Sequence, residues 1–136
     1  MDTTHPASGQ LHDLSVDECW SLATTQAVGR IAWAGRDGIT VIPVNFTVDG
    51  QAVHIRTAAY SALARECDDS PVSFQVDSFD PDTHSGWSVL MRGRAHVDFR
   101  GTGPANPAEV WAAGSRNLHL NVVVDHITGR RVQPTG

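Results

Sequence analysis

The sequence predicts a mainly β domain of the α+β class, a small antiparallel barrel of six or seven strands with two or three short helices at its periphery. Two observations predict this fold. Short runs rich in Val, Ile, Thr and aromatic residues follow one another, separated by turn dipeptides. The chain has 136 residues, of which 40% are hydrophobic and 18% charged, which suits one globular domain. We expect a flexible N-terminal arm over residues 1–13, the domain over 14–132 and a tail over 133–136.

Three short helices are predicted. Ser15 and Glu18 have the spacing of a capping box and predict a helix over residues 15–25. A second helix is expected over residues 60–69 and a third within 104–115. The inward-facing residues of the first two helices are Leu14, Cys19, Trp20, Leu22 and Ala23, and then Leu63, Ala64 and Cys67.

The strands are predicted from alternating apolar residues over 28–33, 39–48, 52–57, 72–77, 87–99 and 118–124. The Asp37-Gly38 and Asp49-Gly50 steps predict hairpins with type I′ turns, in which both central residues have positive φ. We expect a polar loop over residues 79–86, a bend at Gly93 and a chain that turns back over residues 127–132.

Pro43 interrupts the second predicted strand. Proline has no backbone N–H, so it fits a strand at an edge, at a bulge, or where the ladder has opened for another group. Two interpretations stay open at this point: a β-bulge, or a binding site along the strand.

The basic residues exclude several kinds of chemistry. All ten are arginine, so neither a Schiff-base lysine nor a phosphate-loop lysine is available. The net charge of −5 argues against nucleic-acid partners and against a polybasic membrane anchor. Cys19 and Cys67 lack metal-ligand spacing, and no run approaches the ~18 apolar residues of a membrane span. We expect a cytoplasmic protein with two buried thiols.

One local pattern predicts an anion site. Arg56 and Thr57 end a strand, and Ser61 precedes the next helix. A guanidinium, hydroxyl groups and a helix N-terminus together suit a phosphate. In the alternative interpretation, Arg56 pairs with a carboxylate while Thr57 and Ser61 only cap the helix.

No catalytic or metal signature is present. The seven histidines are scattered without ligand spacing, and we find no hydrolase elbow, Walker loop, dinucleotide GxGxxG or zinc motif. We therefore expect no metal site, and no catalytic residue is identified.

The chain nevertheless resembles a known family. The segments VGRIAW, ITVIPVNF, HIRTAAYSALA, DSFDPDTHSGWSVLMRGRA and DHITGRRV are similar to those of the pyridoxamine 5′-phosphate oxidase-like, FMN-binding split-barrel proteins, and most of all to short actinobacterial members. The resemblance runs from about Leu14 to Val132. It implies a homodimer of split β-barrels with two FMN molecules at the subunit interface.

The resemblance also implies roles for particular residues. Ile42, Pro43 and Val44 would run along the isoalloxazine ring, and Arg56, Thr57 and Ser61 would hold the phosphate. The strand next to the flavin would begin with Trp87 and Ser88, with Ser88 bonded to the ring edge. Arg130 would approach the flavin or the substrate from the other subunit.

The sequence departs from the family at several positions. Ala62 stands where members usually carry Lys or Arg, although Arg65 lies one turn further along. His119, Asn121 and Val124 replace the Trp, Arg and Pro of close relatives. Losing one charge-assisted contact would weaken FMN binding roughly ten- to a hundredfold.

Three functions follow. The first is an FMN-dependent oxidoreductase acting on an unidentified small molecule. The second is a dimeric flavin or small-ligand carrier that has lost tight FMN binding or turnover, or a relative that binds the deazaflavin F420. The third is haem binding, with His54, His96 or His119 as axial ligand. Oxidation of pyridoxamine phosphate itself is not favoured, because the sequence contains one Arg-hydroxyl cluster rather than two.

Overall fold

The computed structural model describes residues 9–58, 61–98 and 118–134. Within these ranges the chain forms seven strands and two helices. In order they are β1 (Gly9–Asp13), α1 (Val16–Ala23), β2 (Val28–Gly35), β3 (Gly38–Asp49), β4 (Ala52–Thr57), α2 (Ala62–Cys67), β5 (Ser70–Asp80), β6 (Ser85–Asp98) and β7 (Leu118–Pro134). The predicted third helix, within 104–115, lies outside the described residues.

The strands close into a ring, which confirms the predicted antiparallel split barrel. The sheet order is β1-β7-β4-β3-β2-β5-β6, and β7 also pairs with β6. β7 pairs along both of its edges: residues 118–123 pair with β4, and residues 119–132 run beside β6. β1 is added to β7 outside the ring.

The core fills the ring with the inward residues of each strand. Alternation along the strands sends every second side chain inward, as a half-buried sheet requires. Phe46 and Phe74 meet edge-to-face, with ring centroids 4.9 Å apart. The fully enclosed apolar side chains are Cys19, Ala23, Ile31, Val53, Ile55, Cys67, Phe74, Val76, Val89, Met91, Ala95, Leu120 and Val122.

Both described helices begin as predicted. The Ser15 side chain accepts from the Glu18 N–H, and the Glu18 carboxylate accepts from the Ser15 N–H, so the capping box is present. α1 ends at Ala23, two residues earlier than expected, where the Thr24 and Thr25 hydroxyls donate to carbonyls of the last turn. α2 follows its N-cap Ser61, and the three residues predicted to face inward are buried.

Both Asp-Gly hairpins form, but neither is a type I′ turn. In the first, Arg36 and Asp37 are the central residues, and the positive φ of 118° falls one residue later, at Gly38. In the second, Gly50 is the first central residue with φ 62°, and Gln51 is not in the left-handed region. That pattern is the one found in type II′ turns. The prediction was wrong because the register, which the dipeptide does not determine, decides which residues are central.

Two segments that were predicted to lie outside the strands belong to strands in the structure. Residues 79–80 and 85–86 of the expected loop extend β5 and β6, and only residues 81–84 form the turn. The expected turning back over residues 127–132 is also wrong, since β7 continues to Pro134. The bend at Gly93 is confirmed: the register shifts there, with Asp125 as the extra residue of β7. A side chain at Gly93 would collide with the Val123 carbonyl.

The last five residues of the predicted arm form a strand. Gly9–Asp13 pair with Arg130 to Pro134 at the end of β7. All five residues are exposed, so β1 adds backbone hydrogen bonds but no core. None of the helices in the described part of the chain has the length and apolar character needed to cross a membrane.

Candidate functional site

The barrel opens between β3 and β4. These strands pair only from Phe46 with Ile55 to Asp49 with Ala52. β2, in contrast, pairs with β3 continuously from Gly35–Gly38 to Val28–Asn45. Among the described strands, residues 38–45 of β3 therefore have a neighbour on one side only, and their other edge faces the opening.

Pro43 lies on this open edge. It is opposite Arg30 in the β2–β3 ladder, and the register does not shift there. The β-bulge interpretation of Pro43 is therefore wrong, and its missing N–H is accommodated by the unpaired edge. Ile42 and Val44 are half-buried against the core, whereas Pro43 is exposed. The three residues share one property: on the side of the opening, their backbone groups have no neighbouring strand.

A pair of hydroxyl groups lies across the opening. Thr57 Oγ1 and Ser61 Oγ are 2.8 Å apart, so one donates to the other. Ser61 Oγ also accepts from the Ala64 N–H at 3.1 Å, which makes Ser61 the N-cap of α2. Thr57 is buried at the end of β4 and Ser61 is half-buried. The predicted hydroxyl cluster and the capping role are therefore both present in one arrangement.

The neighbouring arginines differ in how they approach this pair. Arg56 starts from the opposite face of β4 to Thr57, because successive strand residues alternate, and it is paired in register with His119 of β7. Arg65 is exposed on the last turn of α2, and its N–H donates to the Ser61 carbonyl at 3.1 Å. Ala62 is half-buried against the core. Of the two arginines, Arg65 is the one on α2 itself, three residues after Ala62.

The second group of predicted site residues lies on β6 and β7. Ser88 is directly opposite Arg130, and both line a cavity of about 660 Å³. Trp87 is opposite Arg131 on the other face and lines a different cavity of about 320 Å³. The structure therefore brings Ser88 and Arg130 together and separates them from Trp87.

The two groups occupy separate parts of one chain. β2 and β5 lie between β3, which carries Pro43, and β6, which carries Ser88. Three strand spacings amount to about 14 Å along the sheet. A compact ligand in a single barrel would contact one group or the other.

A polar network that the sequence analysis missed spans this gap. Arg30 Nη1 donates to Gln75 Oε1 at 3.3 Å and lies 3.5 Å from Asp77 Oδ1. The Gln75 side-chain amide donates to Asp77 Oδ2 at 2.7 Å. Arg30 is opposite Pro43, and Asp77 is opposite Ser88. Strand alternation predicts that these side chains point outward. Which of them contact each other depends on the register of the strands, which the sequence does not give.

A histidine pair was also missed. His54 is buried, and its Nε2 lies 2.7 Å from His119 Nδ1, with the rings stacked 4.9 Å apart. Burial is the main cause that lowers the pKa of His54 to about 4, and the charges of His119 and Arg56 act in the same direction. Across the described residues, no group of three or more His, Cys, Asp or Glu side chains is arranged to hold a metal ion.

Comparison with known proteins gives the family. The sequence profile of the pyridoxamine 5′-phosphate oxidase family matches residues 15–131 of the chain. The chain belongs to this family. The resemblance predicted from the motifs is thereby confirmed over nearly the whole domain. None of the curated proteins matches the sequence at a significant level.

Several solved structures share the fold. An FAD-binding protein from Mycobacterium smegmatis is 30% identical, with a TM-score of 0.71 over 90% of this chain and 98% of its own. A Corynebacterium glutamicum protein named for pyridoxamine 5′-phosphate oxidase is 24% identical, with a TM-score of 0.73 over 99% of both chains. An FAD- and haem-binding protein from Mycobacterium smegmatis is 16% identical, with a TM-score of 0.67 over 91% of this chain and 74% of its own.

Proposed function

We propose that this protein binds a flavin, FMN in the first instance, between two copies of the chain and acts as an oxidoreductase on a small molecule. The observation that carries the proposal is the Thr57–Ser61 hydroxyl pair across the opening from the unpaired edge of β3. Membership of the pyridoxamine 5′-phosphate oxidase family and the 30% identical FAD-binding relative support it.

The residues at the opening fit such a cofactor. Hydroxyls at the N-cap of α2 suit a phosphate, and we assign Arg56, next to Thr57 in β4, and Arg65, on the last turn of α2, as the cations that pair with it. The open backbone at Pro43 offers carbonyl and N–H groups to the polar edge of a planar ring. A bound flavin supplies the hydride or electron chemistry, while the protein binds and orients it and excludes water.

The separation of the two residue groups supports a homodimer. Within one barrel, β2 and β5 lie between the strand that carries Ile42, Pro43 and Val44 and the strand that carries Ser88, which is paired with Arg130. In our proposal, one copy supplies the opening between β3 and β4, and the other supplies Ser88 and Arg130. The exposed apolar side chains of Ile39 (83%) and Val41 (57%) beside the opening are available for this contact.

Two other cofactors stay candidates. FAD contains the same flavin and phosphate, and it is bound by the relative that is 30% identical. F420 would need more cations at its phosphate end than Arg56 and Arg65. Haem is bound, with FAD, by the 16% identical protein. Here His54 Nε2 already contacts His119, so ligation of an iron through Nε2 would have to break this contact.

The first test is a visible absorbance spectrum of the purified protein, with titrations of FMN and FAD. Arg56→Ala should weaken flavin binding roughly ten- to a hundredfold, because a charge-assisted contact is lost. Arg36→Ala, which removes an exposed arginine from the β2–β3 turn, is the control. Thr57→Val tests the hydroxyl pair without changing side-chain shape, and Thr83→Val in the β5–β6 turn is its control.

The outcomes separate the functions. A protein that binds neither flavin contradicts the proposal. Binding that is equally weakened by Arg36→Ala and Arg56→Ala contradicts this phosphate site. Flavin binding without reduction by NADPH, NADH or reduced F420 favours the non-catalytic carrier.

The two cysteines are buried and unpaired, which supports a reducing, cytoplasmic location.

A further inference from the structure

The cavity of about 660 Å³ on the outer side of β6 and β7 has the size of a small-molecule site. Arg92 and Arg130 line it, and they lie four residues apart along the paired strands, about 13 Å. Leu90 faces Thr128 between them. The cavity therefore offers a cation at each end and an apolar residue beside a hydroxyl in the middle.

The two arginines differ in their partners. Arg130 Nε lies 4.0 Å from Asp13 Oδ1, and both side chains are exposed. For Arg92, the described residues provide no carboxylate within ion-pair distance and no side-chain hydrogen bond. Asp125 lines a neighbouring cavity together with Arg92 without forming an ion pair with it. Arg92 is the cation whose donors stay available in this cavity.

Arg94 shows what a paired arginine looks like on the same face. It lies two residues further along β6, and its Nη1 donates to the Asp69 carbonyl at 2.6 Å and to Asp69 Oδ1 at 3.3 Å. It does not line the cavity. Arg92 and Arg94 therefore form a matched pair, one facing the cavity and one engaged by the protein.

From these contacts we infer that the cavity binds a small organic anion with an apolar body. The carboxylate or phosphate of the ligand pairs with the Arg92 guanidinium, whose planar fork suits either group. The apolar body lies on Leu90, and Thr128 offers a hydroxyl beside it. Arg130 and Ser88 line the other end of the same cavity.

The anion is the substrate class only if the proposed function holds, because that function brings the flavin to Ser88 and Arg130. Binding of the anion itself does not depend on the flavin, since one chain forms the cavity. The experiment therefore measures anion binding by calorimetry on the full chain, before and after addition of FMN. The probes are benzoate and phenyl phosphate, with benzamide as the uncharged analogue of benzoate.

We expect benzoate or phenyl phosphate to bind and benzamide to bind at least tenfold more weakly. Arg92→Ala and Arg92→Gln should weaken anion binding roughly ten- to a hundredfold, while Arg94→Ala leaves it unchanged. If phenyl phosphate alone binds, the ligand is a phosphate; if benzoate alone binds, it is a carboxylate.

Three results would overturn the inference: no binding of either anion, equal binding of benzamide and benzoate, or equal effects of the Arg92 and Arg94 variants. Size-exclusion chromatography with light scattering accompanies each variant. If the Arg92 variants lose their oligomeric state and not their anion affinity, Arg92 belongs to a subunit contact and the inference is wrong. FMN titration of the same variants tests the proposed function separately, because Arg92 is not one of the flavin-binding residues.

Discussion

Single side chains in this barrel are controlled by the partners that they contact on the neighbouring strand. His54 of β4 and His119 of β7, which lie diagonally across the ladder, illustrate this, because their facing nitrogens, 2.7 Å apart, can share only one proton in a hydrogen bond. One ring donates and the other accepts. A second proton between them would place two N–H groups against each other. The pair is therefore stable in its neutral or singly protonated form only.

This coupling predicts how stability depends on pH. The pKa of folded His54 is about 4, below the 6.5 of an ordinary histidine. As pH falls below 6.5, the unfolded chain binds a proton that folded His54 does not, so stability is lost down to about pH 4. The loss from this group is about 3 kcal/mol. Urea unfolding at pH 7 and pH 4 should show that His54→Gln reduces the pH dependence by about this amount. An NMR titration that gives His54 a pKa near 6.5 would contradict the prediction.

At the level of elements, α2 holds the candidate phosphate site in place through one carboxylate. Glu66 Oε1 accepts from the Arg36 N–H at 2.7 Å and from the Trp33 indole N–H at 3.2 Å. These two hydrogen bonds hold the pKa of Glu66 below its usual value, and the bond from the Arg36 N–H has the larger effect. They tie the helix that begins at Ser61 to the turn between β2 and β3. The open edge of β3 and the hydroxyl pair are thus fixed relative to each other.

Glu66→Ala should therefore destabilise the protein and weaken flavin binding together. Leaving the indole N–H of buried Trp33 without its acceptor costs about 1–3 kcal/mol. Thermal unfolding and FMN titration measure the two effects. Glu66→Gln keeps an acceptor oxygen at the same place and is the control. Unchanged stability in Glu66→Ala would show that α2 is held in place by its buried residues Leu63, Ala64 and Cys67 alone.

The sequence predicted the helices and strands well, but it predicted less well which residues lie opposite each other in neighbouring strands. Alternation and capping predicted the strands and both described helices, and Pro43 indicated the open edge. The register was not predictable, because a strand can slip by two residues against its neighbour and keep the same side chains facing inward. That register decides the turn types, the facing of Ser88 and Arg130, and the Arg30–Gln75–Asp77 network. Thr57 and Ser61 were predictable as a cluster because only three residues separate them.

On the scale of the whole molecule, the barrel has an exposed apolar surface on β3. Ile39 and Val41 are 83% and 57% exposed, and they alternate with the half-buried Thr40 and Ile42 on one strand. Pro43 continues the same outward row. Adjacent apolar residues at a strand edge are typical of surfaces that are covered by a partner. A second copy would cover them in the proposed homodimer.

Val41→Asp should therefore convert the dimer to a monomer and abolish tight FMN binding in the same step. A carboxylate placed in an apolar contact loses its hydration without gaining a partner, which disfavours association. Val16→Asp, at an equally exposed position on α1, is the control and should stay dimeric, because an acidic residue is favourable in the first turn of a helix. Light scattering over a range of protein concentrations, with FMN titration of each sample, measures both effects. A wild-type monomer that binds FMN tightly would rule out the shared site, and a dimeric Val41→Asp would place the subunit contact elsewhere on the barrel.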